Sequence, residues 1–405
     1  MSLLTMKAYM MNELLALFNQ IRRLDIITPQ GQAGILAKES NFVFNYHQSV
    51  PVDAAVSLVM PIRQQSYYSG ELMGVFSMNR PEGYLRYLIE ERLKRLGAPS
   101  DMFLLYLAGS HQIGRLSYAL EGKVATKDQG ETLHTLIHSP SKVLFEHLLD
   151  KYALTSGISG VQPKTLVPLS AGLPASHSAL PLETVIVKAE GADFSCVARN
   201  EYLCLSVAKE AGFHVPDFWL SDDGLLLILS RFDRKSDGTP LGFEDMAVLT
   251  GRNTARKYEG SYEMIAKAVT IFTGEHSQIE LQRLFERVAI SCKLKDGDAH
   301  LKNVGLLYEH PLAPRYLAPI YDVVCTNIYP ELDGQLALKL NQRKRFPTDA
   351  ELITYGVRLG VEASTAQTVL TRIDAAFEVV CQRLAQDERY RDDDLIERIK
   401  KAVYA

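Results

Sequence analysis

The sequence lacks several features that would place it in a specialised class. No apolar run approaches the eighteen or so residues that a membrane-spanning helix requires. The five cysteines form no CxxC pair, a pattern that favours free buried thiols in a reducing cytoplasm over disulfides or zinc. The formal net charge of −4 argues against generic, charge-driven binding of nucleic acid, although it leaves DNA contact through a partner open. The cysteines are Cys196, Cys204, Cys292, Cys325 and Cys381.

The chain also shows no internal repeat and no long low-complexity segment. Its 405 residues exceed what one core usually supports, so two or more lobes are expected. With 47% hydrophobic and 23% charged residues, the composition is that of an ordinary globular protein. Residues 1–17 are helix-like and apolar but have no basic leader or small-residue cleavage site, which predicts an amphipathic helix instead of a signal peptide.

The first part of the chain predicts a compact unit that ends near residue 122. Residues 26–47 alternate apolar and polar side chains, which predicts a small β meander with turns at Gly31 and Gly34. A helix is expected over residues 81–96, and a shorter one follows it.

Beyond residue 122 the pattern predicts strands first and helices later. The run Leu225–Phe232 is apolar and has the length of a strand, and from about residue 259 the chain is mostly helical. The other expected elements are strands at 165–168, 184–188, 304–308 and 336–340, and a helix at 199–211 that ends at Gly212.

The most informative motif is Asp298-Ala299-His300-Leu301-Lys302-Asn303, which is followed nineteen residues later by Asp322. An Asp, four intervening residues and an Asn is the spacing of a kinase catalytic loop. There the Asp accepts the proton of the attacking hydroxyl, and the Asn holds a magnesium ion. Asp322, expected at the end of a β-strand, would bridge the metal to the nucleotide phosphates.

Lys188 stands at the end of the apolar strand Val185–Lys188, where a lysine would point toward a cleft. There it could neutralise the α- and β-phosphates of a nucleotide. Glu201, on the following helix, either pairs with Lys188 and orients it or is an exposed helical glutamate.

Two further segments fit the same chemistry. Ser159–Lys164 is not a Walker A loop, but its small residues allow backbone amides to approach phosphate oxygens; alone it would be a surface turn. Phe232, between Arg231 and Asp233, lies where a hinge between lobes should fall and could contact an adenine ring. The charged neighbours of Phe232 are expected to form local ion pairs.

The alternation of Asp296, Asp298 and His300 keeps a second enzyme class open. On an extended strand these three side chains would share one face and could hold a metal, as in a metallohydrolase. No further histidine cluster lies nearby, and the spacing from Asp298 to Asn303 has the better use described above.

Taken together, the motifs resemble those of the HipA-like serine/threonine kinases, which include toxins of bacterial toxin–antitoxin modules. The resemblance extends from about residue 26 onward, with residues 26–120 similar to the N-terminal subdomain of full-length members. The segments that carry it are Ser69–Glu71, Arg80–Gly83, Ser159–Lys164, Val187-Lys188, Asn200–Tyr202, Ser230–Arg234, Glu244-Asp245, Asp298–Asn303 and Tyr321-Asp322.

The resemblance implies an α+β, two-lobed protein-kinase-like fold that binds ATP and Mg²⁺ between its lobes. It implies a small β-rich N-terminal subdomain over residues 1–122, a kinase N-lobe over 123–233 and a mostly helical C-lobe over 234–405. Asp298 matches the catalytic base, and Asn303 and Asp322 match the metal ligands. The expected ATP-binding residues are Ser159, Gly160, Val161, Gln162, Lys164, Lys188, Ser230, Phe232, His300 and Lys302.

The resemblance also implies partners. Substrates known for the family are aminoacyl-tRNA synthetases, and the usual partner is a small HipB-like helix-turn-helix antitoxin that also binds DNA. The expected protein is therefore a cytoplasmic kinase that reaches DNA only through its antitoxin and has no contact with a membrane. A small-molecule phosphotransferase is an alternative. A catalytically inactive module that binds an antitoxin or DNA is another.

Two positions depart from the family pattern. Many members have Glu where this chain has Ser230, so an adenine contact would be lost or made by the backbone. In the family, the inhibitory autophosphorylation serine commonly lies three residues before the loop glycine. The loop glycine here is Gly160, and the position of that serine is occupied by Gly157. Ser159, beside Gly160, matches a variant arrangement and is the expected autophosphorylation site, with Ser156 one step outside the pattern.

Overall fold

The computed structural model describes residues 17–18, 20–120, 130–160, 162–170, 184–191, 193–391 and 393–405. The amphipathic helix predicted for residues 1–17 falls outside this range apart from Leu17. Across the described ranges, no helix combines the length and the apolar character needed to cross a membrane. The five cysteines are free thiols; four of them are buried and Cys196 is half-buried.

The described strands form three sheets, and the paired strands within each sheet are antiparallel. The strands are β1 Arg23–Thr28, β2 Gly31–Lys38, β3 Phe42–Tyr46, β4 Tyr67–Ser69, β5 Ser117–Ala119, β6 Lys164–Pro168, β7 Thr184–Ala189, β8 Phe218–Leu220, β9 Leu226–Ser230, β10 Gly242–Asp245, β11 Gly305–Tyr308 and β12 Tyr316–Leu317.

Helices separate the sheets and are the predominant regular elements beyond residue 245. They are α1 Gly74–Ser77, α2 Gly83–Leu93, α3 Asp101–Ala108, α4 Leu133–His138, α5 Ser141–Tyr152, α6 Val197–Glu210, α7 Met246–Leu249, α8 Tyr262–Thr273, α9 Ser277–Lys293, α10 Asp349–Arg358, α11 Ala363–Leu384 and α12 Leu395–Tyr404. The predicted mixture of helices and strands is confirmed.

The first sheet has the order β4-β3-β2-β1-β5 and contains the predicted meander. Gly31 follows the β1–β2 turn with a φ of 120°, a conformation that favours glycine. Gly34 was expected at a turn, and that expectation is wrong. It lies within β2 opposite Tyr46, where a Cβ would come within 2.1 Å of the Asn45 carbonyl oxygen. Close approach of two backbones therefore explains this glycine.

The other two sheets have the orders β6-β7-β9-β8 and β10-β11-β12. The strand expected at residues 336–340 is absent from the described structure, which has only isolated bridges there, Ser261 with Lys339 and Leu340 with Arg343. The segment alternates because Leu336, Leu338 and Leu340 are buried in the helical core. Burial of one face produced the strand-like pattern without a neighbouring strand to pair with.

The described residues form two apolar cores. Phe44 and Phe103 of the first region pack in the same cluster as Val187 and Ile228 of the β6–β9 sheet. The second core is formed by the helices beyond residue 245 together with α6. The strand-rich and helical halves meet at β7, α6 and the segment around residue 322, and that junction positions the candidate site. The predicted boundaries at residues 122 and 233 stay predictions.

Candidate active site

Two lysines stand side by side at the strand-rich edge of the site. Lys164 on β6 pairs directly with Lys188 on β7, and directly opposite residues of antiparallel strands share one face of the sheet. Both are buried. Lys164 was expected within the phosphate loop, but it is the first residue of β6. Burial lowers the pKa of Lys164 and the charge of Lys188 adds to that effect, whereas Asp322 acts in the opposite direction.

Lys188 joins the two halves of the molecule. Its Nζ atom lies 2.6 Å from Oε1 of Glu201 on α6 and 2.5 Å from Oδ1 of Asp322. Burial alone would lower the pKa of Lys188, but the carboxylates of Asp322 and Glu201 raise it above its ordinary value. The lysine is therefore a fixed positive charge. Of the two alternatives for Glu201, the structure shows the one in which it pairs with Lys188.

Asp322 occupies a strained backbone position. Its φ of 57° is left-handed, a conformation that residues other than glycine adopt rarely. The expectation that it ends a β-strand is wrong, since β12 ends at Leu317 and irregular backbone follows. Burial would raise the pKa of Asp322, but Lys188 and Lys164 hold it well below its usual range. The carboxylate is ionised and accepts a hydrogen bond from Lys188.

Asp298 lies in the loop between α9 and the short 3₁₀ turn Leu301–Asn303. The Tyr258 hydroxyl donates a hydrogen bond of 2.7 Å to its Oδ1 atom. Its backbone N–H donates to Oδ1 of the buried Asp296 at 3.0 Å. The carboxylate is open to solvent but crowded by protein, and this partial desolvation raises its pKa; Asp322 raises it further, against the Tyr258 hydrogen bond.

The side chain of Asn303 is oriented by the same loop. Its Nδ2 group donates to the backbone carbonyl of Asp298 at 2.9 Å, so the amide oxygen is directed away from that carbonyl. An amide oxygen and the Asp322 carboxylate are hard oxygen ligands of the type that Mg²⁺ prefers. These residues fit a magnesium ion, which they would hold between the loop and Asp322.

The metallohydrolase alternative finds no support in this geometry. Asp296, Asp298 and His300 lie on irregular backbone and not on a strand. Within the described residues there is no group of three or more His, Cys, Asp or Glu side chains arranged to hold a metal. Burial, with a contribution from Lys257, lowers the pKa of His300 to about 3, so its ring is neutral. The ring packs edge-on against Tyr258, with centroids 5.0 Å apart.

The predicted phosphate loop reaches the catalytic segment through Ser159. The Ser159 hydroxyl donates to Oε2 of Glu82 at 2.8 Å and accepts a hydrogen bond from Nζ of Lys302. Gly160 has a φ of 138°, and a Cβ there would meet Nζ of Lys164 at 2.3 Å. The glycine therefore allows the loop to lie directly on a buried lysine.

Of the other predicted loop residues, the structure describes Gln162 but not Val161. Nε2 of Gln162 donates to the carbonyl of Ala189, next to Lys188, at 3.1 Å.

Residues 156 and 157, the two alternative positions for a modified serine, are tightly packed. Ser156 is buried, and its hydroxyl donates to the Tyr152 carbonyl at 2.9 Å and accepts from the Leu166 amide at 3.1 Å. A Cβ at Gly157 would come within 2.7 Å of the Gln112 Cβ. This packing explains why a serine does not fit at residue 157, and it leaves Ser159 as the partly exposed hydroxyl of the three positions.

The predicted hinge follows β9. Ser230 ends that strand, and its N–H donates to the Asp217 carbonyl at 2.8 Å. Phe232 stacks on Tyr321, with ring centroids 4.9 Å apart, and Tyr321 directly precedes Asp322. The charged neighbours form the expected local network: Asp233 is buried and accepts from Arg231 at 2.6 Å.

Sequence reasoning missed three residues of the site. Glu82 comes from the N-terminal region, Tyr258 from the turn before α8, and Asp296 was considered only as a metal ligand. Glu82 and Tyr258 are far from the loop in sequence and carry no spacing signal. The Gly-Asp pair that follows Asp296 offered a weak one, since a carboxylate two residues before a loop residue can accept its N–H.

The fold is similar to a solved one. HipA of Shewanella oneidensis, whose structure was determined with HipB and operator DNA, superposes with a TM-score of 0.68 at 17% sequence identity. The match covers 94% of this chain and 95% of that chain. At this identity the likeness shows the fold, and the chain has the mixed α/β fold of HipA.

The sequence comparisons supply the family. The HipA N-terminal domain matches residues 24–119, and the HipA-like C-terminal domain matches residues 156–381. The second match alone covers more than half of the chain. The chain belongs to the HipA-like family.

Two relatives carry a kinase in their names. "Putative kinase Y4dM" of Sinorhizobium fredii is 31% identical over 175 residues, which are 40% of this chain and 42% of that protein. A "Putative kinase" of Haemophilus influenzae is 30% identical over 172 residues, 38% of this chain and 49% of that protein. The chain therefore spans less than half of the length of either relative.

Proposed function

We propose that this protein is an ATP- and Mg²⁺-dependent protein serine/threonine kinase with a two-lobed, kinase-like arrangement. The observation that carries the proposal is the contact of Lys188 with both Glu201 and Asp322. A strand lysine held by a helix glutamate, facing an Asp that follows an Asp-x₄-Asn loop, is the set of parts that phosphoryl transfer uses. Residues 123–233 then form the N-lobe and residues 234–405 the C-lobe, with residues 1–122 as the N-terminal subdomain.

Each side chain has a defined task in this proposal. Lys188 supplies fixed positive charge for the phosphates of ATP, with Lys164 beside it on the same face of the sheet, and Phe232 stacked on Tyr321 forms an apolar surface for the adenine ring. Asp298 accepts the proton of the attacking hydroxyl, and its raised pKa strengthens it as a base. Two hydrogen bonds hold Asp298 in place: one from the Tyr258 hydroxyl to its carboxylate, and one from its own backbone N–H to the Asp296 carboxylate.

The remaining charge neutralisation would come from a magnesium ion held by residues of the catalytic loop and by Asp322. Asn303 and Asp322 would hold the ion, which would offset charge that develops on the transferred phosphoryl group. The protein's contribution is to pre-orient both ligands: Asn303 through the Asp298 carbonyl and Asp322 through Lys188. His300, neutral and packed on Tyr258, serves the loop structure.

The family supports a substrate class and a partner for the proposal. We infer an aminoacyl-tRNA synthetase as protein substrate and a HipB-like helix-turn-helix antitoxin as partner, in a cytoplasmic toxin–antitoxin module. The HipA structure from Shewanella oneidensis supports the partner, since it contains HipB and operator DNA. DNA contact would then be made through the antitoxin, in keeping with the formal net charge of −4.

Transfer of label from radiolabelled ATP tests the activity. In the presence of Mg²⁺ the wild-type protein should label itself or a synthetase mixture. Asp298→Asn should reduce labelling by roughly 100-fold or more, because the base is lost. Asp237→Asn is the control, since that carboxylate caps an exposed turn at Thr239. Equal labelling by wild type and Asp298→Asn would refute the assigned base, and absence of labelling with intact ATP binding would favour a binding module.

A further inference from the structure

Glu82 brings the N-terminal region into the candidate active site. It is the N-cap residue of α2, and its carboxylate is largely buried, with the side chain 15% exposed. Ser159 donates to its Oε2 atom at 2.8 Å, and Nζ of Lys302 lies 3.2 Å from Oε1 and 3.1 Å from Oε2. Lys302 also donates to the Ser159 hydroxyl. Three segments that are distant in sequence therefore share these hydrogen bonds, and Thr254 also forms a side-chain hydrogen bond with Glu82.

The charges of this group favour the contact. Burial alone would raise the pKa of Glu82, but Lys302 and then Ser159 hold it below its ordinary value. Glu82 is therefore an ionised acceptor, and Lys302, only 11% exposed, is its ion-pair partner. Removing one member of such a buried pair leaves the other charge uncompensated, which is strongly unfavourable.

The position of the contact gives it a role. Lys302 directly precedes the proposed metal ligand Asn303, and Ser159 directly precedes the loop glycine that lies on Lys164. We propose that Glu82 is a positioning residue, which transmits the placement of the N-terminal domain to the phosphate loop and the catalytic loop together. Its role in transfer rests on the proposed function, whereas its effect on loop order does not.

The ionised Glu82 carboxylate should make a negative charge at residue 159 unfavourable. A negative charge introduced there would lie beside the Glu82 carboxylate, and two carboxylates sharing one site repel. The loop should then separate from α2, while Lys302 remains near enough to pair with only one of the two anions. Neutralising Glu82 should remove the repulsion and restore the loop.

Hydrogen exchange of the nucleotide-free protein, read at residues 156–160, tests the contact without any need for activity. Glu82→Gln and Glu82→Ala should each speed exchange there by at least about tenfold, with Ala the larger effect, since the ion pair is lost in both. Glu90→Gln is the matched control, because Glu90 lies on the same helix and pairs with Arg86 instead. Exchange in both Glu82 variants equal to that of Glu90→Gln would overturn the proposal.

A charge rescue separates positioning from simple packing. Ser159→Asp alone should speed exchange of the loop. Ser159→Asp combined with Glu82→Gln should return it to within roughly threefold of the wild type, since the introduced carboxylate can then pair with Lys302. A double variant as fast as Ser159→Asp would refute the charge mechanism. If the wild-type protein failed to transfer label from ATP while the double variant still restored slow exchange, the proposed kinase activity would be refuted. The positioning role of Glu82 would then stand.

Discussion

The Nζ atom of Lys188 lies 2.5 Å from the Oδ1 atom of Asp322, although β7 and residue 322 belong to different halves of the molecule. Glu201 contacts the same Nζ atom through its Oε1 atom at 2.6 Å. In the proposed kinase this ion pair stands where nucleotide phosphates and metal would enter. Lys188 would face the phosphates and Asp322 would hold the metal, so the two charged groups of the pair serve adjacent parts of the same ligand.

Lys188→Ala should have two effects on thermal stability. Without nucleotide, Glu201 and Asp322 lose their cation, which should cost about 3–5 kcal/mol and lower the Tm. With ATP and Mg²⁺, the increase in Tm that a ligand of the folded state produces should be smaller than in the wild type. Lys209→Ala, on the exposed face of α6, should leave both quantities unchanged. A full ATP-induced shift in Lys188→Ala would exclude this lysine from the nucleotide site.

The pH dependence of transfer should report Asp298. Desolvation and Asp322 raise its pKa, and a general base works only when deprotonated, so the rate should rise with pH through that raised pKa. Tyr258→Phe removes a hydrogen bond that lowers this pKa, and should therefore move the rising limb to higher pH. The measurement is the initial rate of labelling as a function of pH, from the ordinary pKa of an aspartate upward. A limb that is unchanged in Tyr258→Phe would contradict the assignment.

Asp296 makes the stability of the folded protein depend on pH. Burial raises its pKa to about 8, despite Arg287, whereas in the unfolded chain the group titrates near its ordinary value of 3.8. Well below that value both states are protonated and no cost arises. As the pH rises toward 8, only the unfolded state releases the proton, so stability falls.

Asp296→Asn keeps an acceptor for the Asp298 amide and cannot ionise. It should therefore raise the Tm by at least about 2 °C more at pH 8 than at pH 5, since one unit of pKa shift is worth about 1.4 kcal/mol. Calorimetry at the two pH values measures this. Asp333→Asn, at an exposed turn, should show no such difference; an equal change at both pH values in Asp296→Asn would show that the group is not buried as a neutral acid.

The sequence predicted those parts of the structure that depend on local pattern. The meander of β1–β3, the strand with Lys188 and the helix with Glu201 follow from side-chain periodicity, which burial of one face imposes. Gly34 was misread because a glycine in a strand and a glycine in a turn look alike without the neighbouring backbone. Residues 336–340 were predicted as a strand because their leucines alternate, but the alternation reflects burial of one face in a helical core.

The site divides in the same way. The pattern from Asp298 to Asn303 lies within one loop, so its spacing is visible in the sequence. Glu82 reaches Lys302 across 220 positions, and only the packing of the N-terminal domain creates that contact. No local signal could have predicted it.

The two serines of the phosphate loop differ in their access to a phosphoryl donor. Ser159 is partly exposed beside Gly160, whereas Ser156 is buried and its hydroxyl is engaged by Tyr152 and Leu166. A phosphoserine carries about −1.5 to −2 charges, which at residue 159 would meet the Glu82 carboxylate and favour outward movement of the loop. Ser159 is therefore the hydroxyl that we expect to receive phosphate.

Incubation of the protein with ATP and Mg²⁺ should add one phosphate, seen by intact-mass analysis, and slow further transfer as the loop moves away from the site. Ser159→Ala should abolish the added mass and keep the rate of transfer constant with time, because the inhibitory charge can no longer form. Thr155→Ala is the neighbouring control and should behave as the wild type, since that hydroxyl donates to the Tyr152 carbonyl and lies outside the contact with Glu82. Phosphate that persists in Ser159→Ala, or that maps to Ser156, would remove Ser159 from regulation.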